Sequence, residues 1–329
     1  MNNKILLVSF LLLFMVPAIS QTDTGKTTFV KMVKIRNNIY MLQSGGGNIG
    51  LSFGKDGIIM VDNHLSEDVE QIQKEIKKIS NKPVRFVLNT HFHKDHTGGN
   101  FLLAKEGAVV ISQEAVRPRL EDVMMNGDKK ISEKILPIIT FKDELTLHLN
   151  NEKIFVFHLP NAHTDGDVMV YFSESNVLQT GDVFVNGQYP FIDLENGGSV
   201  EGYAQGIQKA LSLINKETKI IPGHGPLATY KDLADSHQLL GTAYKKISQL
   251  ALLGKTEDEV AGMEDLKEIF TSKGYADGFI TADSFLRTLY KDATQGRTSK
   301  GERIKENEKA RQKYEEIKKQ QQSKNKGRS

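Results

Sequence analysis

The densest chemistry in the chain lies in Thr90-His91-Phe92-His93-Lys94-Asp95-His96, where three imidazoles and one carboxylate fall within six residues. Neutral imidazole and carboxylate are ligands for zinc and similar divalent ions. His91 and His93 stand two apart, so an extended backbone points both the same way. Asp95 and His96 then turn away from that face. One short loop can therefore feed two neighbouring metal positions. A polar surface turn has no need of four ligand-type residues in so short a span. Three further residues extend the pattern. His163 lies in Ala162-His163-Thr164-Asp165-Gly166-Asp167, Asp182 in Thr180-Gly181-Asp182, and His224 in Pro222-Gly223-His224-Gly225. The pattern takes five of the nine histidines.

Each of these residues follows a stretch that reads as a strand. The apolar run 84–89 precedes the opening loop and is β-rich enough to be buried. Strands are also expected over 153–159 before His163, 177–179 before Asp182 and 218–221 before His224. Side chains at strand ends beside glycine turns can lean into one cleft, where α/β proteins place their chemistry. Upstream, 29–35, 39–43, 48–53 and 57–61 read as an antiparallel meander, punctuated by Arg36-Asn37-Asn38, Gly45-Gly46-Gly47 and Gly54-Lys55-Asp56-Gly57. Val69, Ile72, Ile76 and Ile79 predict a helix over 66–80, with Ser66 as its N-cap and Lys82-Pro83 beyond its end. Further strands are expected at 108–112, 144–149 and 168–172, and helices at 113–123, 199–214 and 230–253. Two sheets covered by helices on their outer faces is the natural packing of this order.

The order His91-x-His93-x-Asp95-His96, then His163, Asp182 and His224, resembles the metallo-β-lactamase superfamily over roughly residues 29–253. The resemblance implies an α+β fold, the αββα four-layer sandwich, with metals at one edge. It assigns His91, His93 and His163 to one cation and Asp95, His96 and His224 to a second, with Asp182 bridging both. Two Zn2+ per chain are expected, with iron or manganese as alternatives. Cations about 3.5–4 Å apart can share a hydroxide that is a nucleophile at neutral pH. The implied activity is a dinuclear hydrolase opening an amide or ester carbonyl, with a β-lactam or lactone foremost. A thioesterase of glyoxalase II type and an iron-dependent sulfur dioxygenase are the alternatives. Asp95 is the candidate catalytic residue, orienting the hydroxide and passing a proton to the leaving group. Asp182 stands where some zinc β-lactamases carry a Cys ligand, and the chain has no cysteine at all.

Residues 1–20 read as a cleaved secretory signal peptide: a short positive start, an apolar stretch of about fifteen residues and Ala18-Ile19-Ser20 before Gln21. That stretch is shorter than the roughly 20 residues needed to span a bilayer. The expected location is periplasmic or secreted, and without cysteine the exported chain must be stabilised by its core rather than by disulfides. The hydrolase domain is expected over 21–253, a helical extension over 254–298 and a charged, disordered tail over 299–329. That tail carries eleven Lys and Arg against five Glu, a net of +6, and suits contact with an anionic surface. The whole chain has a formal net charge of only +2. That offers no basis for nucleic-acid binding, so a small-molecule substrate is the expected partner.

Other residues are weaker candidates. Asp62 is placed either to orient a ligand histidine or simply to cap its strand. His64 reads as a surface-loop histidine. Asn186 and Tyr189 could donate to an oxyanion, and Gly45-Gly46-Gly47 is either a flap or a tight hairpin. His148, His158 and His237 read as structural.

Overall fold

Turn chemistry and strand alternation lay down the first half of the fold. β1 (Lys31–Arg36), β2 (Ile39–Ser44), β3 (Gly47–Gly54) and β4 (Gly57–Val61) form an antiparallel meander. Asn37 takes the left-handed conformation in its first turn, which Asn tolerates better than most residues. The chain then alternates between helix and parallel strand. α1 (Val69–Lys77) leads to β5 (Val84–Leu88). The short helices α2 (Lys94–Thr97) and α3 (Asn100–Lys105) lead to β6 (Val109–Gln113), and α4 (Val116–Asn126) to β7 (Ile139–Phe141). The product is a seven-stranded sheet in sequential order.

A second, six-stranded sheet follows: β8 (Glu144–Leu149), β9 (Glu152–Leu159), β10 (Asp167–Phe172), β11 (Val177–Gln179), β12 (Lys219–Ile221) and β13 (Ala228–Thr229). It is antiparallel except where α5 (Val200–Leu213) carries the chain from β11 to its parallel neighbour β12. α6 (Tyr230–Leu252), α7 (Glu257–Ala261), α8 (Glu264–Thr271) and α9 (residues 282–295) complete it. The computed structural model describes residues 30–44, 46–126 and 132–295. The expected signal peptide and charged tail lie outside them.

Three apolar layers hold the molecule together. Between the sheets, Ile39, Met41, Ile59, Val61 and Leu88 pack against Val156, Val168, Val170, Phe172 and Ile221. The first sheet buries its other face, including Leu51, Met60 and Val87, against Ile72 and Ile76 of α1 and Leu103 of α3. The second buries Phe157, Met169 and Leu178 under Tyr203 and Ile207 of α5 and Leu240 and Ile247 of α6. This is the αββα sandwich. Strands buried on both faces read as continuous apolar runs, as in Ile58-Ile59-Met60-Val61. The segment after α6 joins the same core through Leu266, Phe270, Phe285, Leu286 and Leu289.

Two local expectations are corrected. The 66–80 helix opens with a 3-10 turn, and Ser66 caps neither part. Asp68 occupies the cap position of α1 but turns its carboxylate to His64 instead. In the expected helical extension over 254–298, residues 256–273 are not one helix but break at Gly262-Met263 into α7 and α8, although Thr256 and Glu259 form a full capping box at the start. β7, only three residues long and poorly buried, carries too little periodicity to be read in advance.

Candidate metal centre

The site lies where β5, β9, β11 and β12 end. After β5 the chain bends through Thr90, His91 and Phe92, takes an extended conformation at His93 (φ −60°, ψ 149°), then makes the single turn of α2. The Thr97 hydroxyl donates to the carbonyl oxygens of Phe92 and His93 and ties that turn together. The bent part presents His91 and His93, in place of the extended run expected from their spacing, and the helical turn presents Asp95 and His96. Val168 N–H donates to Thr90 O, which fixes this loop to the second sheet. Asn48 N–H donates to Gly223 O and Asn48 Nδ2 to Pro222 O, bringing the His224 loop to the first.

The imidazole nitrogens converge. Nδ1 of His93 lies 3.1 Å from His91 Nε2 and 2.9 Å from His163 Nε2. On the other side, His224 Nε2 lies 3.3 Å from Asp95 Oδ2, and His96 Nε2 lies 3.5 Å from the same oxygen. Asp182 stands between the two groups. Its Oδ1 is 3.2 Å from His96 Nε2 and 3.4 Å from His224 Nε2, and its Oδ2 is 3.8 Å from His163 Nε2. Gly223 makes room for this carboxylate, since a Cβ there would sit 2.0 Å from Asp182 Oδ1.

A ring of acceptors orients these imidazoles. His96 Nδ1 donates to Asp62 Oδ2 at 2.9 Å, His93 Nε2 to Asp193 Oδ2 at 3.0 Å, and His163 Nδ1 to Phe191 O at 2.8 Å. Acceptors on the far nitrogen fix the tautomer and raise the basicity of the near one. Asp62 is itself held by Thr90 N–H and Oγ1, both at 2.8 Å.

The charges follow from this packing. Burial, reinforced by three neighbouring imidazoles, pushes His91 well below the usual histidine range. Burial also lowers His163, to about 4. Burial alone would lower His96 too, but Asp182 and Asp62 outweigh it and raise that imidazole. His224 rises to about 9 against its own burial, through Asp182 and Asp95. Burial would raise Asp182, yet His224 and His96 hold it well below the carboxylate range. His91 and His163 thus favour neutral imidazole, whereas His96 and His224 favour imidazolium paired with carboxylate.

All seven residues expected from the sequence meet here. Asp62 takes the orienting role rather than a plain strand cap. His64 is corrected: it is buried, its Nδ1 2.6 Å from Asp68 Oδ2 and its Nε2 2.5 Å from Ser44 Oγ. Tyr189 is corrected as well. It lies in the core, packed against Phe270 and Phe285. Asn186 donates to Pro226 O. Gly46 and Gly47 belong to a tight β2–β3 hairpin, paired at Ser44 and Gly47. Among the other histidines, His158 bonds the Asp165 carbonyl. Sequence reasoning passed over Asp193, whose only signal was its place at the end of the loop after Asp182.

Divalent cations fit these residues. His91, His93 and His163, then His91, His96 and Asp182, then Asp95, His96 and His224 each offer ligand atoms within 4.8 Å of one another. His96 Nε2 and Asp182 Oδ1, 3.2 Å apart, are buried yet make no well-formed hydrogen bond. Such orphaned polar atoms are costly unless something else satisfies them.

Two sheets flanked by helices, with a histidine and aspartate cluster at one edge, define a class of metal-binding α+β protein. Residues 42–224, just over half of the chain, match the family described as Metallo-beta-lactamase superfamily. The chain belongs to that superfamily. It is 29% identical over 164 residues to a hydroxyacylglutathione hydrolase of Pelagibacter ubique, covering 48% of this chain and 59% of that relative's length. It is 26% identical over 205 residues to the metallo-beta-lactamase IND-1 of Chryseobacterium indologenes, covering 60% of this chain and 82% of the relative. The fold is shared with a metallo-beta-lactamase from Pontibacter korlensis at a TM-score of 0.54 and 19% identity, over 65% of this chain and 99% of that one.

Proposed function

We propose that the chain is a dinuclear metal-dependent hydrolase that opens an amide or ester carbonyl, with a cyclic substrate, β-lactam or lactone, foremost. One observation carries the reading: the two oxygens of Asp182 face different histidine groups, as a carboxylate shared by two cations requires. His91, His93 and His163 would hold one cation, and Asp95, His96 and His224 the other. Two bound cations, Zn2+ foremost, would supply a hydroxide nucleophile at neutral pH and an electrophile for developing negative charge. The protein's own contribution is positional. Asp62, Asp193 and the Phe191 carbonyl fix the imidazoles. Asp95 is about one-third exposed at the open side of the cluster. Its carboxylate can take a proton from the attacking water and deliver it to the departing nitrogen or oxygen.

A thioesterase reading has its own support, in the oxygen ligand Asp182 and in the similarity to a hydroxyacylglutathione hydrolase. We further propose that residues 1–20 are removed on export, so that the enzyme works in the periplasm or outside the cell. The deciding experiment presents metal-loaded protein with a chromogenic cephalosporin, a homoserine lactone, a glutathione thioester and a phosphodiester. Turnover of cephalosporin or lactone is expected. Turnover of the thioester alone favours the second reading. Phosphodiester cleavage alone, or oxygen uptake with bound iron, overturns both. Sequencing the amino terminus of secreted protein should give Gln21, and an intact Met1 on cytosolic protein sinks the export reading.

A further inference from the structure

Phe279 is the most exposed large apolar residue of the described chain, 90% open to solvent. It does not sit on a loose segment. Ala276 N–H donates to Gly187 O, Gly278 N–H to Ile280 O and Ala282 N–H to Asp277 Oδ1, so the loop between α8 and α9 is tied at both flanks. Beneath it, Tyr189, Phe270, Tyr275 and Phe285 form an aromatic cluster with ring centroids 5.3–6.0 Å apart. The fold therefore holds an exposed aromatic in a fixed place.

That place is the edge of the metal centre. The Phe279 ring meets Phe191 edge-on at 6.3 Å. Phe191 is itself 37% exposed. Its ring stacks on His93 at 5.9 Å and meets His163 edge-on at 5.7 Å. Its carbonyl accepts from His163 Nδ1, so its backbone cannot drift from the site. Two phenyl rings thus run outward from the His93 and His163 imidazoles as one apolar strip. Apolar surface maintained against water beside a reactive centre marks a place for apolar ligand groups.

We propose that Phe191 and Phe279 form a lip that binds the hydrocarbon arm of the substrate, and that the preferred substrates are esters or amides bearing an alkyl or aryl group of several carbons. The proposal rests on the hydrolase reading of the metal centre. Its occupant is the substrate, rather than a second copy of the chain or a lipid surface, because the strip is continuous with the ligand imidazoles. Asp193 and Asp277 beside it also disfavour an anionic lipid surface.

Each methylene buried against the lip contributes about 0.8 kcal/mol, or roughly fourfold in affinity. Metal-loaded enzyme should therefore turn over 4-nitrophenyl esters with a kcat/KM that climbs with acyl length, through KM rather than kcat. Phe279→Ala should make that climb shallower, costing about tenfold on the longest ester and least on the shortest, while Phe279→Leu restores most of it. Equal loss on short and long esters, or an undiminished climb, overturns the lip. So does a change confined to sedimentation behaviour, which would make the strip a contact between copies. Alkyl hydroxamates of graded length, titrated into metal-loaded protein, report on the lip even if no ester is hydrolysed. Affinity rising with length in the native chain and less steeply in Phe279→Ala supports the lip while the hydrolase reading fails. Affinity independent of length rejects the lip.

Discussion

Asp62 Oδ2 accepts a hydrogen bond from His96 Nδ1 at 2.9 Å, and both groups are fully buried. Asp62 is also in the left-handed backbone region, φ 62°, a conformation that costs a non-glycine residue about 1 kcal/mol or more. The strand end is thus bent to put this carboxylate behind a ligand imidazole. Asp62→Ala should weaken binding of the second cation by about 10–100-fold, the usual cost of losing such an orienting acceptor. Asp62→Asn, which keeps an acceptor oxygen, should fall between. Competition against a calibrated chelator measures this, and an unchanged affinity would show that His96 needs no help.

Gly223 bears on the same cluster through space rather than bonding. A methyl group there would stand 2.0 Å from Asp182 Oδ1 and 2.7 Å from the Gly181 carbonyl. Gly223→Ala must displace one of them, and the carboxylate is the more mobile. Metal content should fall below that of the native chain, with an overpacking cost of about 1–3 kcal/mol. Gly241 in α6 is the control, because a methyl there meets nothing within 4 Å. Gly241→Ala should be neutral or stabilise by about 1 kcal/mol. Elemental analysis alongside thermal melts separates the two effects.

The seven ligand-type residues were legible because each has the right chemistry and stands just after a β-rich run. Strand-to-loop position survives folding, so local pattern picked out the candidates, while their division between two cations came from the resemblance to the metallo-β-lactamase superfamily. The sandwich was legible for the same reason: strands buried on both faces read as long apolar runs. What escaped depended on distant partners. Asp193 is defined by His93, a hundred positions away. His64 looked like a loop histidine until Asp68 and Ser44 closed around it. Tyr189 has the composition of a site residue but is claimed by an aromatic core supplied by α8 and α9. The break between α7 and α8, by contrast, falls at Gly262, the C-cap of α7, a stop signal that was present in the sequence and passed over.

His64 links the chain before α1 to the β2–β3 hairpin. Its Nδ1 is bound to Asp68 and its Nε2 to Ser44. Gly46 packs so closely on the ring that a Cβ there would lie 2.5 Å from Nε2. Gly47, at the same tip, lies by His224, with an added Cβ 3.6 Å from its Cε1. His64→Ala removes one partner of the buried Asp68 carboxylate and the bond to Ser44, at a cost of about 1 kcal/mol for each hydrogen bond lost. Faster amide exchange at Gly46 and Gly47 is expected, with metal content unchanged. Loss of metal instead would mean that His64 supports the cluster directly.

Asp95 and Asp182 are both carboxylates of the cluster, and their roles separate by substitution. Asp182 is buried between two imidazole groups and offers an oxygen to each. Asp182→Ala should lower metal content and abolish turnover together, and full activity with two bound metals would refute the bridge. Asp95 is more open and uses Oδ2 toward His96 and His224. Asp95→Asn retains an oxygen that can face a cation but cannot carry a proton at neutral pH. It should keep most of its metal and still lose about 10²–10⁴-fold in kcat, the usual contribution of a general acid–base group. Substrates with a better leaving group should recover much of that loss, because they need less proton donation as the bond breaks. If Asp95→Asn loses metal in proportion to activity, and leaving-group quality makes no difference, Asp95 is a ligand alone.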